Sequence, residues 1–323
     1  MALALVIAYA MASPLPHLAP IFAWLLTMEP KKPLGFKGLL VLIPVTALTT
    51  GTGLLMIPLL SDYPATAILV VLIALFFSTY LSVSLGQVTV GMLLTIGITL
   101  ISAVGTVSFV AAIGVINGFL MAIVISISSQ WLVYPLFPED PVSLEPPAEQ
   151  VGNEYALWIS VRTTRIVIPV YLLCLTNPLM YTALILKSVS LGQQSTVGDT
   201  KAAAKVLLGS TLMGGVLAIL FWFALKLNVS LWMFFLWMLL IGIGVAAKIY
   251  GLRASKYSVD FWSTALVTML ILLGPAVADS ANGKDVYQAF AVRMSLLFAV
   301  AIYAWITVLA LDQLRVRLRR GSS

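Results

Sequence analysis

Chemistry needs ionisable, nucleophilic or metal-ligating side chains, and this sequence is sparing with all of them. Its 323 residues carry 12 acids, 18 bases, one histidine and one cysteine. The histidine stands in a proline cluster, Pro14-Leu15-Pro16-His17-Leu18-Ala19-Pro20. Prolines interrupt a helix and release backbone amides and carbonyls, and an imidazole titrates near neutral pH and can relay protons. Either this segment lines a substrate site, or the prolines only form a turn with His17 resting at an interface. Asn177-Pro178 is the matching break further along. Its amide either binds a substrate carboxylate or closes the turn through its own backbone.

Arg162 and Arg165 stand ahead of that second break. They would draw an organic anion into a vestibule, or else set orientation and hold lipid head groups. Arg293 lies well inside the last apolar segment, with Asp279 and Asp285 as candidate partners. An arginine there is either paired and functional or snorkels to the head groups. Trp24 belongs to a set of aromatics that mainly read as interfacial belts, and it is also a candidate for stacking on an aromatic substrate. The candidate substrate-binding residues are thus His17, Trp24, Asn177, Arg162, Arg165 and Arg293, with His17 and Asp279 for proton coupling. A lone histidine and the lone Cys174 exclude a multi-histidine or cysteine metal cluster and an internal disulfide. No phosphate loop, dinucleotide fingerprint, H-E-x-x-H or G-x-S-x-G pattern occurs. The sequence therefore predicts no enzyme, no cofactor and no metal.

The elements that must position these residues follow from composition. Hydrophobic residues make up 61% and charged residues 9%, and the mean hydropathy is +1.07. Ordinary soluble domains hold roughly 45–50% apolar and about 25% charged residues. Such a composition excludes a soluble enzyme, a disordered chain and a nucleic-acid-binding domain, and points to an integral membrane protein. The net charge of +6 is then a topology signal rather than a sign of nucleic acid. Long continuous apolar runs favour helices over barrel strands. They fall at 2–13, 15–28, 38–60, 65–84, 88–104 and 107–134, then at 159–175, 178–190, 202–225, 229–247, 259–278 and 287–311. The first pair in each set reads as too short for upright spans, and a hairpin returning to its own side is favoured. The opening segment lacks the positive start of a signal peptide and is expected to be structural.

With a cytoplasmic start, fifteen of the eighteen basic residues fall in inside loops, Arg162, Arg165 and Lys187 among them; Lys226, Lys284 and Arg293 fall outside. Both termini are expected to be cytoplasmic. Pro14 precedes Gly51 much as Pro178 precedes Gly214, and a basic loop follows each short pair. The expected fold is an all-α polytopic membrane protein of about 12 transmembrane or half-membrane helices, arranged as two parallel six-segment repeats. The first repeat covers 1–135 and the second 158–314. An acidic, proline-rich cytoplasmic linker lies at 136–157 and a basic tail at 315–323. Gly51, Gly53, Gly209, Gly214, Gly215 and Gly114-x-x-x-Gly118 are expected to let helices approach closely.

The order of features resembles the fusaric acid resistance protein-like superfamily, which includes bacterial aromatic carboxylic acid exporters. The matching stretches are the proline-broken opening Leu3 to Pro30 with Trp24, the glycine-rich third segment around Gly51, Arg162 to Lys187, and Lys201-Ala-Ala-Ala-Lys205 to Gly214-Gly215. The chain looks like a compact form, with only the linker where larger members carry a cytoplasmic domain. The resemblance implies efflux of small, often aromatic, carboxylic acids across the bacterial inner membrane. It also implies a periplasmic membrane-fusion adaptor as partner. Further expectations are a homo-oligomer, contact with the lipid bilayer and no nucleic acid. The expected function is an ion- or gradient-driven exporter working around the two broken helices; a passive organic-anion channel and a non-transporting scaffold subunit stand as alternatives.

Overall fold

A computed structural model describes residues 1–28, 33–138, 153–193, 205–283 and 285–321. Lys31, Lys32, Lys201, Lys284 and the linker acids at 139–149 lie outside the described residues. The described chain is all helical, as the absence of water from a bilayer core demands that each segment satisfy its own backbone. Among the described residues twelve helices follow one another. They are α1 (Ala2–Ala10), α2 (Leu18–Thr27), α3 (Phe36–Asp62), α4 (Pro64–Ser84), α5 (88–107), α6 (Phe109–Val133), α7 (Asn153–Thr176), α8 (Pro178–Gln193), α9 (205–227), α10 (Leu231–Ile249), α11 (Val259–Ala281) and α12 (Val286–Gly321). Nine are long and apolar enough to cross a membrane. The protein is a polytopic α-helical membrane protein.

Local chemistry sets the boundaries. Ser108, Ser230 and Ser258 cap α6, α10 and α11 by accepting from backbone amides three residues on, the usual means of satisfying free N–H groups at a helix start. Pro64 opens α4, where a missing amide hydrogen costs nothing. Two helices contain π turns: Gly97–Ile101 within α5 and Lys205–Gly209 at the start of α9.

α5 and α11 form the interior. In their apolar stretches 72% and 78% of residues are buried, against 17% in both α3 and α10. Helix pairings recur in the same order along the chain. α1 packs on α2 as α7 does on α8, α2 on α6 as α8 on α12, and α3 on α5 as α9 on α11. Between the two sets, α4 lies on α7 and α10 on α1, while α8 touches α5 and α2 touches α11. Glycine sets the closest approaches. A Cβ on Gly53 would fall 2.0 Å from the Gly97 carbonyl oxygen, and one on Gly214 would fall 2.6 Å from that of Ala265. Gly51 and Gly114 face open space, and Gly118 meets Leu15 of the first turn. The glycine two positions after Gly51 therefore makes the contact, and Gly114/Gly118 is no helix-crossing motif.

Several expectations change. α7 is a full-length helix of 24 residues, not a short arm. It begins at Asn153, inside the stretch expected as linker. α12 continues to Gly321 through the expected tail. Arg162 and Lys187, counted among inside-loop charges, are 4% and 1% exposed inside the bundle. Trp24, Trp222 and Trp262 are buried rather than belted at an interface.

Candidate functional site around helix α11

The first hairpin is built from two short helices. At 1.5 Å per residue α1 and α2 are only about 14 and 15 Å long, half a hydrocarbon core of about 30 Å. Seven residues, Met11 to His17, join them, and Ala12 adopts φ 49° there, a conformation that costs a side chain roughly 1–2 kcal/mol. Within this turn Ser13 Oγ is buried and has no hydrogen-bond partner among the described residues. His17 is 9% exposed, and its ring lies directly over Gly274 of α11, where an added Cβ would come within 2.2 Å of it. Only a glycine admits the imidazole so close. His17 is thus held inside the bundle, not at an interface.

α2 then continues along α11. Trp24 Nε1 donates to Ser263 Oγ at 2.9 Å, and Ser263 Oγ in turn approaches Met28 Sδ. Ser263 and Gly274 are eleven residues apart, three helical turns, and so share one face of α11. Trp24 is therefore fixed by a buried hydrogen bond rather than free to stack.

The second hairpin reaches α11 from another side. α8 presents Lys187, whose Nζ donates to Thr268 Oγ1 at 2.6 Å. Thr268 Oγ1 spends its own hydrogen on the Thr264 carbonyl at 2.6 Å, which leaves its lone pairs for the ammonium. Lys187 was not among the candidate residues. A lysine near the end of an apolar run reads as a loop charge, and only the packing of α8 shows otherwise. Thr268 lies six residues before Gly274, about 9 Å along the axis and roughly 120° around it. α11 thus gathers Lys187 and His17 on different flanks, not in one contact.

Toward the far end of α11, Asp279 pairs with Arg293 of α12, with Nη1 and Oδ2 2.5 Å apart and side chains 10% and 16% exposed. The pairing foreseen for Arg293 is present, and the arginine does not reach out alone. Asn177 is exposed and accepts from the Met180 amide at 3.2 Å; it caps α8 and touches none of the groups above. Arg162 is buried in α7, whereas Arg165 is exposed beside a groove of about 470 Å³ between α4, α7 and α12. Cys174 is buried, and no group of metal-ligating side chains occurs among the described residues.

Of the candidate residues, the structure brings His17, Trp24, Asp279 and Arg293 to α11, leaves Asn177 and Arg165 exposed, and buries Arg162 in α7. The comparisons add one relation. A family model described as "Protein of unknown function (DUF2955)" matches residues 1–133, and its boundary falls on the last residue of α6. No curated protein and no solved structure matches the chain.

Proposed function

We propose that this chain is a secondary carrier of small organic anions, aromatic carboxylic acids foremost, working by alternating access around the two hairpins α1–α2 and α7–α8. The observation that carries this reading is α11. A deeply buried helix takes hydrogen bonds from both hairpins, through Trp24 and Lys187, has the His17 ring packed on Gly274, and holds an ion pair at its far end. Carriers of the parallel-repeat kind place substrate where interrupted helices from their two halves converge. The recurring helix pairings, and the family boundary at Val133, favour two such halves. Ionisable side chains inside a membrane are costly and are kept for substrate or ion pathways. The resemblance to acid exporters supplies the substrate class, the bacterial inner membrane and the membrane-fusion adaptor as parts of this proposal. The excess of basic residues in loops supports cytoplasmic termini.

The test is reconstitution into liposomes with an imposed pH gradient and a panel of radiolabelled benzoic and hydroxybenzoic acids. Accumulation of at least one acid beyond that in protein-free liposomes is expected. If every acid in the panel equilibrates at the protein-free rate, the carrier reading fails.

A further inference from the structure

The buried lysine on α8 is the feature that the proposed function leaves unexplained. Lys187 is 1% exposed, deep inside the helical membrane bundle. Lysines near a helix end reach for the interface with their long stems, but this one points inward. Its ammonium rests on Thr268, nine residues from the start of α11 and thirteen from its end. An ammonium has three N–H donors. Among the described residues Thr268 Oγ1 is its only hydrogen-bond acceptor, and no carboxylate stands at ion-pair distance from it.

Its neighbours along α8 do not compensate. Ser188, next in α8, spends its hydroxyl hydrogen on the Ile185 carbonyl. Leu184 and Leu186 beside it are buried hydrocarbon. An ion pair elsewhere in the bundle shows what compensation looks like: Arg293 lies against Asp279. A charge taken out of water is costly unless a partner of opposite sign comes with it, and Lys187 has been given a neutral hydroxyl instead. Thr268 fixes the position of the nitrogen without neutralising it, since its own hydrogen goes to Thr264.

We infer that Lys187, positioned by Thr268, is the point at which a substrate carboxylate is recognised. This deepens the carrier reading and rests on it. The carboxylate supplies the missing negative charge and accepts from the two remaining N–H donors, while Thr268 holds the third. A neutral amide of the same shape brings no charge and is rejected. In the conformation described here the ammonium is covered, so the carboxylate reaches it when α8 parts from α11. Those two helices come from one half of the chain, and α2 reaches α11 on a separate flank. Recognition of charge therefore belongs to the second hairpin.

The experiment uses the purified full-length protein in lipid nanodiscs, titrated calorimetrically with benzoate and with benzamide, alongside benzoate uptake in proteoliposomes. The wild type is expected to bind benzoate and not benzamide. Lys187→Met is expected to weaken benzoate binding at least about tenfold, as loss of a charge-assisted hydrogen bond would. Its unfolding temperature is expected not to fall, because an uncompensated buried charge has been removed. Lys187→Arg should retain binding, and Thr268→Val should weaken it and also lower the unfolding temperature, because the buried ammonium loses its hydroxyl acceptor. If Lys187→Met fails to fold, Thr268→Val decides: benzoate affinity within twofold of the wild type overturns the inference. Undiminished binding by a folded Lys187→Met overturns it too. Uptake by the wild type with equal uptake by Lys187→Met sinks this assignment alone, whereas no uptake by the wild type sinks the carrier reading.

Discussion

The two hairpins occupy corresponding places in the order of helices and differ in almost everything else. α1–α2 is short, with arms of 9 and 10 residues and a seven-residue turn; α7–α8 has arms of 24 and 16 residues joined by Asn177 alone. The first carries no charged side chain between Ala2 and Thr27, and the second carries Arg162, Arg165 and Lys187. The first docks by shape, with His17 over Gly274 and Trp24 on Ser263. The second docks by charge, with Lys187 on Thr268. A scaffold with corresponding pairings therefore carries chemistry that does not correspond. A ligand held near α11 would meet its cation on one side and an imidazole and an indole on the other.

The strongest perturbation leaves both hairpins intact and releases the helix they share. Asp279→Asn should lower stability by about 1.5–3 kcal/mol, the cost of weakening a charge-assisted contact to a partly buried arginine, read as a drop in unfolding temperature. The double variant Asp279→Asn/Arg293→Gln should recover part of it. Next in size is Gly274→Ala, which drives a Cβ into the His17 ring and should cost about 1–3 kcal/mol. Trp24 fluorescence should shift with it, because the first hairpin depends on that close approach. If Gly274→Ala leaves both readings unchanged, the contrast between docking by shape and docking by charge collapses.

Smaller effects sharpen the same contrast. Trp24→Phe keeps an aromatic ring but loses part of the buried indole and its hydrogen bond to Ser263, so about 1–2 kcal/mol is expected, measured by chemical unfolding. Asn177→Ala removes an exposed helix cap and should cost at most about 1 kcal/mol, with benzoate uptake unaltered. A loss of uptake in a stably folded Asn177→Ala would return that residue to the site.

The helices were largely legible in the amino-acid sequence, because a bilayer leaves few choices of backbone and marks them by continuous hydropathy. The breaks at Pro14 and Pro178 were legible for the same reason: each interrupts an apolar run. The start of α7 was not. Asn153, Glu154 and the two arginines that follow lower its hydropathy at one end, although the helix runs through them without interruption. Nor could a residue's direction be read. In a helix that is apolar all round, no moment distinguishes the face toward lipid from the face toward neighbours. Gly53 was therefore not separable from Gly51, two positions away and about 200° around the helix. Lys187 was hidden by the same ambiguity, since a basic residue at the end of an apolar run normally marks a loop. For Arg293, further inside its run, pairing with Asp279 or Asp285 and snorkelling stood equally open in the sequence, and the structure pairs it with Asp279.

The central claim is that the bundle is a carrier, and counterflow tests it most directly. Liposomes holding the protein are loaded with a high concentration of unlabelled benzoate and diluted into a trace of labelled benzoate. A carrier is expected to accumulate label transiently above equilibrium, as outward-moving substrate returns each binding site to face the label. Label that only rises to equilibrium at a rate independent of the internal benzoate, or that matches protein-free liposomes, would contradict the account.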